Sequence, residues 1–371
     1  NLLIHMNTVV GGSQDDEEDV TLPAGWDSNK VATVVEEGSR KAPIPVGYTA
    51  SDVAGETSIA DGLVIYENTE TSTNPVSTDV DAMTTRNQYV WIPVDNINSM
   101  VMCRTHGASV TLDLETLQCP ECGANTELAG KLYTVTSNGT ETVTEGTIYK
   151  YTQDFSQNDQ TYSPNSGYRE PAVVTGNSSG TGTSYDGDTT NNYHGLGTAT
   201  AFLTQLEGDF EEMARSVAKY KGFYVSRYEI GVGASSKQGQ TVLNAGTNGT
   251  DSDYIWYGLY QECRNVTDSA MHSHMIWGSQ YDQIMKFAKE KERRDGTGAV
   301  FDVFTASVAR QKTSQMNAGT NPADKVCNIY DLEGNYWEWT AEASSSDNRV
   351  LRGGDYGYAS SGIFYPAGFL G

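Results

Sequence analysis

Two short knuckles carry the residue types best suited to holding a metal: Cys103-Arg104-Thr105-His106 and, twelve residues further on, Cys119-Pro120-Glu121-Cys122-Gly123. A C-x2-H and a C-x2-C pair supply four ligands, Cys103, His106, Cys119 and Cys122, the number that closes a tetrahedral zinc shell. Such a shell leaves no position for water, so the zinc would hold an inserted segment in place without catalysing anything. The competing reading is a disulfide among Cys103, Cys119 and Cys122, favoured in an oxidising compartment. Cys263 and Cys327 are left over, and they either bridge each other or remain separate buried thiols.

Other groupings carry less chemistry. His272-Ser273-His274 places two imidazoles on one face of a strand, but no further ligands stand nearby to converge on an ion, so packing or surface roles are expected. No serine sits in a nucleophile-elbow pattern with an oriented base. The chain contains five histidines, His5, His106, His194, His272 and His274, with His106 assigned to the zinc shell, which is too few for a histidine-ligated iron site.

Composition narrows the classes. A formal charge of -24 repels nucleic acid and anionic membranes and mainly supports solubility. Hydrophobic residues at 37%, charged residues at 19%, 38 glycines and 22 tyrosines suit a strand-and-turn-rich extracellular protein. No apolar run approaches the roughly 18 residues needed to cross a bilayer, and Asn1-Leu2-Leu3-Ile4-His5-Met6 is too short for a signal peptide. A processed or incompletely represented chain is expected from its start at Asn1 and stop at Gly371.

The elements that must position these groups follow from periodicity. Residues 1–40, with the acidic run Asp15-Asp16-Glu17-Glu18-Asp19, read as a linker or N-terminal arm. Strands are expected over 60–66, 87–94 and 222–230. Helices are expected over 210–220, capped by Asp209, and over 279–290. The polar stretches 176–195 and 231–253 read as long surface loops.

One long motif adds a resemblance. Asn328-Ile329-Tyr330-Asp331-Leu332-Glu333-Gly334-Asn335-Tyr336-Trp337-Glu338-Trp339-Thr340, followed by Arg349-Val350-Leu351-Arg352-Gly353-Gly354, resembles the closing signature of the formylglycine-generating-enzyme, or sulfatase-modifying-factor, family. The resemblance implies an α+β, C-type-lectin-like domain over 41–371, interrupted at 101–145 by an insertion whose Cys-Pro-x-Cys-Gly turn resembles a zinc ribbon. It also implies calcium near the signature, where Asp331, Asn335 and Glu338 would supply oxygen ligands; alternatively these side chains satisfy backbone groups and Trp337 and Trp339 fill the core. Oxidases of the family carry two copper-binding cysteines after Arg-Gly-Gly. Here Tyr358 and Ile363 stand at those positions, so the oxidation chemistry should be lost and no catalytic residue is assigned.

The segment from Asp355 to Gly371 uses only residue types reachable by randomising the first two bases of an asparagine codon. It resembles the variable region of proteins diversified by retroelements. Asp355, Tyr356, Tyr358, Ser360, Ser361, Phe364 and Tyr365 are then the ligand-binding candidates, since tyrosine offers rigid contact area while serine and glycine adapt. The alternative is a Gly/Ser-rich connection with a few packed aromatics. The expectation is a non-catalytic binding protein, extracellular, on a bacterial surface or displayed on a phage particle, that adheres to a host or cell-surface protein or glycan. The alternatives are a structural subunit that self-assembles into a filament, pilus or phage appendage, and a formylglycine-generating-type oxidase relative.

Overall fold

The computed structural model describes residues 22–69, 75–97, 100–103, 111–113, 119–121, 199–233, 235–243, 256–266, 271–295, 314–322, 325–332, 334–343, 349–353 and 356, with the backbone of short strands at 4–9, 134–135, 141–142, 148–149 and 369–370. The strands in chain order are β1 (Ile4–Val9), β2 (Val31–Glu37), β3 (Arg40–Pro45), β4 (Tyr48–Ala50), β5 (Val64–Glu67), β6 (Gln88–Pro93), β7 (Met102–Cys103), β8 (Thr134–Val135), β9 (Glu141–Thr142), β10 (Ile148–Tyr149), β11 (Gly222–Ser226), β12 (Met271–Met275), β13 (Glu338–Ala343), β14 (Arg349–Arg352) and β15 (Phe369–Leu370). The helices are α1 (Ala82–Thr85), α2 (Ala199–Tyr220), α3 (Trp256–Arg264) and α4 (Gly278–Asp295). The architecture is mixed α and β.

Six strands form one antiparallel sheet in the order β12-β1-β11-β6-β5-β4. Its centre is β6, where Gln88-Tyr89-Val90-Trp91-Ile92 are all buried, so both faces are covered. Trp91 lies opposite Tyr224 of β11 with ring centroids 4.9 Å apart. The Tyr224 hydroxyl donates to the Pro43 carbonyl at 2.8 Å and so ties the β2–β3 hairpin to the sheet. Helix α2 buries Phe202, Leu206, Phe210, Met213 and Val217, spaced by three or four residues and hence on one face, and packs on β1 and β11. Helix α4 contributes Tyr281, Ile284, Met285 and Ala288 to the same core and packs on β6 and β13.

Several expectations need correction. The arm over 1–40 is not separate: β1 is an interior strand of the main sheet, β2 pairs with β3, Val31 is in the core, and Leu22 and Trp26 pack against it. The pairing partners of β1 lie more than two hundred residues away, beyond the reach of local pattern. The acidic run 15–19 lies outside the described residues. The helix expected from 210 begins at Ala199, so Asp209 is an interior residue that accepts the Tyr260 hydroxyl rather than a cap. Helix α3 was not expected at all. Around the insertion, β7 pairs with β10 through Cys103 and Ile148, while Val101, Leu112 and Cys119 join the main core. The loop 176–195 lies outside the described residues. Within 231–253 the described part folds back on itself, Gly231 bridging both Ser235 and Val242.

Candidate functional site

After β11 the chain continues as Arg227-Tyr228-Glu229-Ile230, all four residues buried. Buried charge requires partners, and the two charged residues find them in different directions. The Arg227 guanidinium pairs with Glu56, donates to the Tyr66 hydroxyl at 2.7 Å and to the Gln88 side-chain carbonyl at 3.1 Å. Glu56 also accepts from Ser51 at 2.7 Å. This network locks β5, β6 and the 51–56 turn together.

Glu229 points into the signature segment. Its Oε2 accepts from the Asn335 amide at 2.6 Å and its Oε1 from the Tyr336 backbone N–H at 3.3 Å. The Asn335 side chain also closes a reciprocal pair with Met316, accepting from its N–H at 3.0 Å and donating to its carbonyl at 3.1 Å. Asp331 holds a left-handed backbone, φ 60°, and its Oδ2 accepts from the Gly319 N–H at 2.6 Å. Just before it, Cys327 and Asn328 have φ 50° and 65° inside a turn closed by Val326 and Ile329, and the Asn328 amide donates to the carbonyls of Gly55 and Gly62, each at 2.8 Å. Asn335 and Asp331 thus fasten the 316–319 segment, and Asn328 the 55–62 segment, through their backbones.

Glu338, the central residue of Trp-Glu-Trp, is buried at the start of β13, opposite Arg352. Neither of its carboxyl oxygens has a hydrogen-bond partner among the described residues. Burial first, then the nearby charges of Glu229 and Asp331, hold this carboxyl well above the usual carboxylate range, which favours the neutral acid. Gly353 has φ 87°, and a β-carbon there would collide with the Glu338 carboxyl; this is the physical content of glycine after Arg352. Arg352 lies 3.5 Å from Asp282 of α4, and Arg349 stacks 3.7 Å over Trp256 while donating to the Ala341 carbonyl at 2.8 Å.

Tyr356 stands on this base. Its N–H donates to the Asn335 carbonyl at 3.2 Å, its hydroxyl accepts from Gln315 at 3.1 Å, and its ring meets Tyr336 edge-on at 6.2 Å. The other ligand-binding candidates, Asp355, Tyr358, Ser360, Ser361, Phe364 and Tyr365, lie outside the described residues.

Among the described residues no group of three or more His, Cys, Asp or Glu side chains is arranged to hold an ion. The side-chain oxygens of Asp331 and Asn335 accept from backbone N–H groups, which favours the hydrogen-bonding alternative over calcium for these two. Of the zinc candidates, Cys119 is fully buried and Cys103 is described in its backbone; His106 and Cys122 lie outside the described residues. Cys263 and Cys327 are separate buried thiols, not a disulfide. His272 Nδ1 pairs with Glu212 at 2.8 Å, and the buried His274 is bonded through Nδ1 to the Met275 carbonyl.

Glu229 is the residue that sequence reasoning missed. The signal was present: a charged residue two positions after Arg227, in a segment otherwise patterned for burial, needs a partner. Compared with protein-family models, curated proteins and solved structures, the chain matches none.

Proposed function

We propose that this chain is a non-catalytic binding protein, extracellular or particle-displayed, that presents the segment 355–371 on a lectin-like scaffold to a host or cell-surface protein or glycan. The observation that carries this reading is Tyr356, the first aromatic of that segment, which is oriented by the Asn335 carbonyl, the Gln315 amide and the Tyr336 ring above a buried polar base. A pre-oriented tyrosine spends little conformational entropy on contact, the property that suits aromatic anchors to interfaces. The segment returns to this base at its far end, where Phe369–Leu370 (β15) pairs with Val350 and Leu351 of β14. The absence of cysteine from 355–364 supports recognition rather than copper chemistry. The insertion over 101–145 carries a structural zinc held by Cys103, His106, Cys119 and Cys122.

The test is the pair Tyr358→Ala and Tyr365→Ala, combined in one variant and assayed for unfolding temperature and for binding to arrayed surface proteins and glycans. An unfolding temperature within about 5 °C of the parent together with lost binding supports recognition. Unfolding of the variant would make these rings part of the core instead.

A further inference from the structure

A cleft of about 570 Å³ opens at the end of the sheet opposite Tyr356. Strands β6 and β11 run between the two places: β11 leads from Gly222, beside the cleft, toward Glu229, and β6 ends at Pro93, two residues before Asp95 in the cleft wall. Five residues of strand, about 17 Å, separate the two ends.

The walls bring aromatic and cationic groups together, with Lys219 Nζ 5.2 Å from the centre of the Tyr220 ring. Trp26 and Tyr220 meet edge-on at 5.0 Å, and Arg40, Lys41, Lys219 and Lys221 surround them. An adjoining hollow of about 410 Å³ shares Lys219 and Tyr220 and is mixed in charge, adding Lys30 and Arg215 but also Glu211 and Glu212. In a chain of net charge -24 the cleft is a local reversal of sign. Arg40 is already forked onto Asp95, at 2.9 and 2.6 Å, and Lys41 is paired with Glu36. Lys30, Lys219 and Lys221 have no carboxylate partner among the described residues.

Lys219, in the last turn of α2, has an ordinary explanation, because a cation there complements the helix dipole. Lys221 does not. It follows the helix with φ 60°, a left-handed position that glycine would occupy with less strain, while its backbone is spent on Val217 and Val94. Its side chain lines the cleft.

We propose that this cleft binds an anionic sugar, a pyranose ring bearing one carboxylate or sulfate. The apolar C–H face of the sugar ring lies against Trp26, the anion is taken by Lys221 and Lys219, and ring hydroxyls donate to Asp95. The volume suits one or two sugar units. Phosphate is disfavoured, since the one arginine fork is occupied by Asp95 and a dianion would lie close to that carboxylate. The proposal does not depend on the role of the 355–371 loop, which lies at the other end of the strands.

The experiment is ligand-observed NMR titration of the full chain with glucuronic acid, glucose 6-sulfate, glucose and inorganic phosphate, repeated on Lys221→Gly and on the exposed-site variant Lys219→Gln. Saturable binding of glucuronic acid or of glucose 6-sulfate, at least tenfold tighter than glucose, is expected, and whichever acid binds identifies the anion. Lys221→Gly should unfold at a higher temperature than the parent yet bind at least fivefold more weakly, and Lys219→Gln should weaken binding without unfolding. The proposal is overturned if neither acid binds saturably, if glucose binds equally well, if phosphate binds more tightly than both acids, or if both variants keep full affinity.

Discussion

The side-chain amide of Asn335 donates to Glu229 at 2.6 Å, while the carbonyl of the same residue receives the N–H of Tyr356 at 3.2 Å. One residue therefore neutralises the hydrogen-bonding demand of a buried carboxylate and sets the position of the first aromatic in the segment proposed to bind. Packing inside the domain and presentation outside it meet at this point.

Replacing Asn335 with alanine strips Glu229 of its 2.6 Å bond and removes both side-chain bonds to the Met316 backbone. The expected cost is about 3 kcal/mol by chemical denaturation, since a buried charge losing a partner pays its desolvation in full. Asn335→Asp sets two carboxylates face to face, so its destabilisation should be larger at pH 8 than at pH 5. Equal loss at both pH values would contradict a charge-repulsion origin for this destabilisation.

Gly353→Ala meets both the left-handed backbone and the Glu338 carboxyl. A loss of about 3 kcal/mol is expected from strain and overpacking together. The double variant Gly353→Ala, Glu338→Ala should recover part of it; no recovery would show that backbone strain alone is responsible.

Two buried acids predict a pH dependence. Burial pushes Glu207, 5% exposed, up to about 7 from an ordinary value of 4.5, and Glu338 is raised as well. A carboxyl whose folded value is raised binds more protons in the native state than in the unfolded chain, so stability falls as pH climbs above 4.5 and through the folded value. For Glu207 that window runs from about 4.5 to about 7. Glu207→Gln should flatten the decline of unfolding temperature across this window, measured at constant ionic strength. An unchanged slope would mean the carboxyl is solvated.

Cys263 and Cys327 are separate buried thiols, and burial raises the Cys263 thiol well above its ordinary value. Both should stay unreactive toward thiol reagents in the native protein and become titratable on unfolding, while reductant leaves the unfolding temperature unchanged. A drop of several degrees in reductant would reveal a bridge.

Much of the scaffold was legible in local pattern. The buried run around Trp91, the segment from Gly222 and the helix expected over 279–290, which extends over Gly278–Asp295, follow from periodicity, because each buries one continuous stripe or stretch. What local pattern does not reveal is pairing across the chain. Ile4–Val9 has nothing in its own neighbourhood to distinguish an interior strand from an arm, and its partners β11 and β12 enter only with the fold. Within the site, Asn335 and Glu338 stood out by motif, yet their roles came from Glu229, Met316 and Gly353, residues drawn near by the sheet. Asp209 illustrates the reverse: a good cap by type, it is interior because Ala199–Gly208 already form helix ahead of it.

The most direct measurement is sequencing of the coding region across a population of the source organism, counting substitutions at 355–371 against those in the base residues Glu229, Asp331, Asn335, Glu338 and Gly353. A diversified binding loop predicts substitutions concentrated after Gly354, at codons derived from asparagine-type templates, with the base residues constant. A loop as invariant as the base would contradict that reading and make 355–371 an ordinary structural connection.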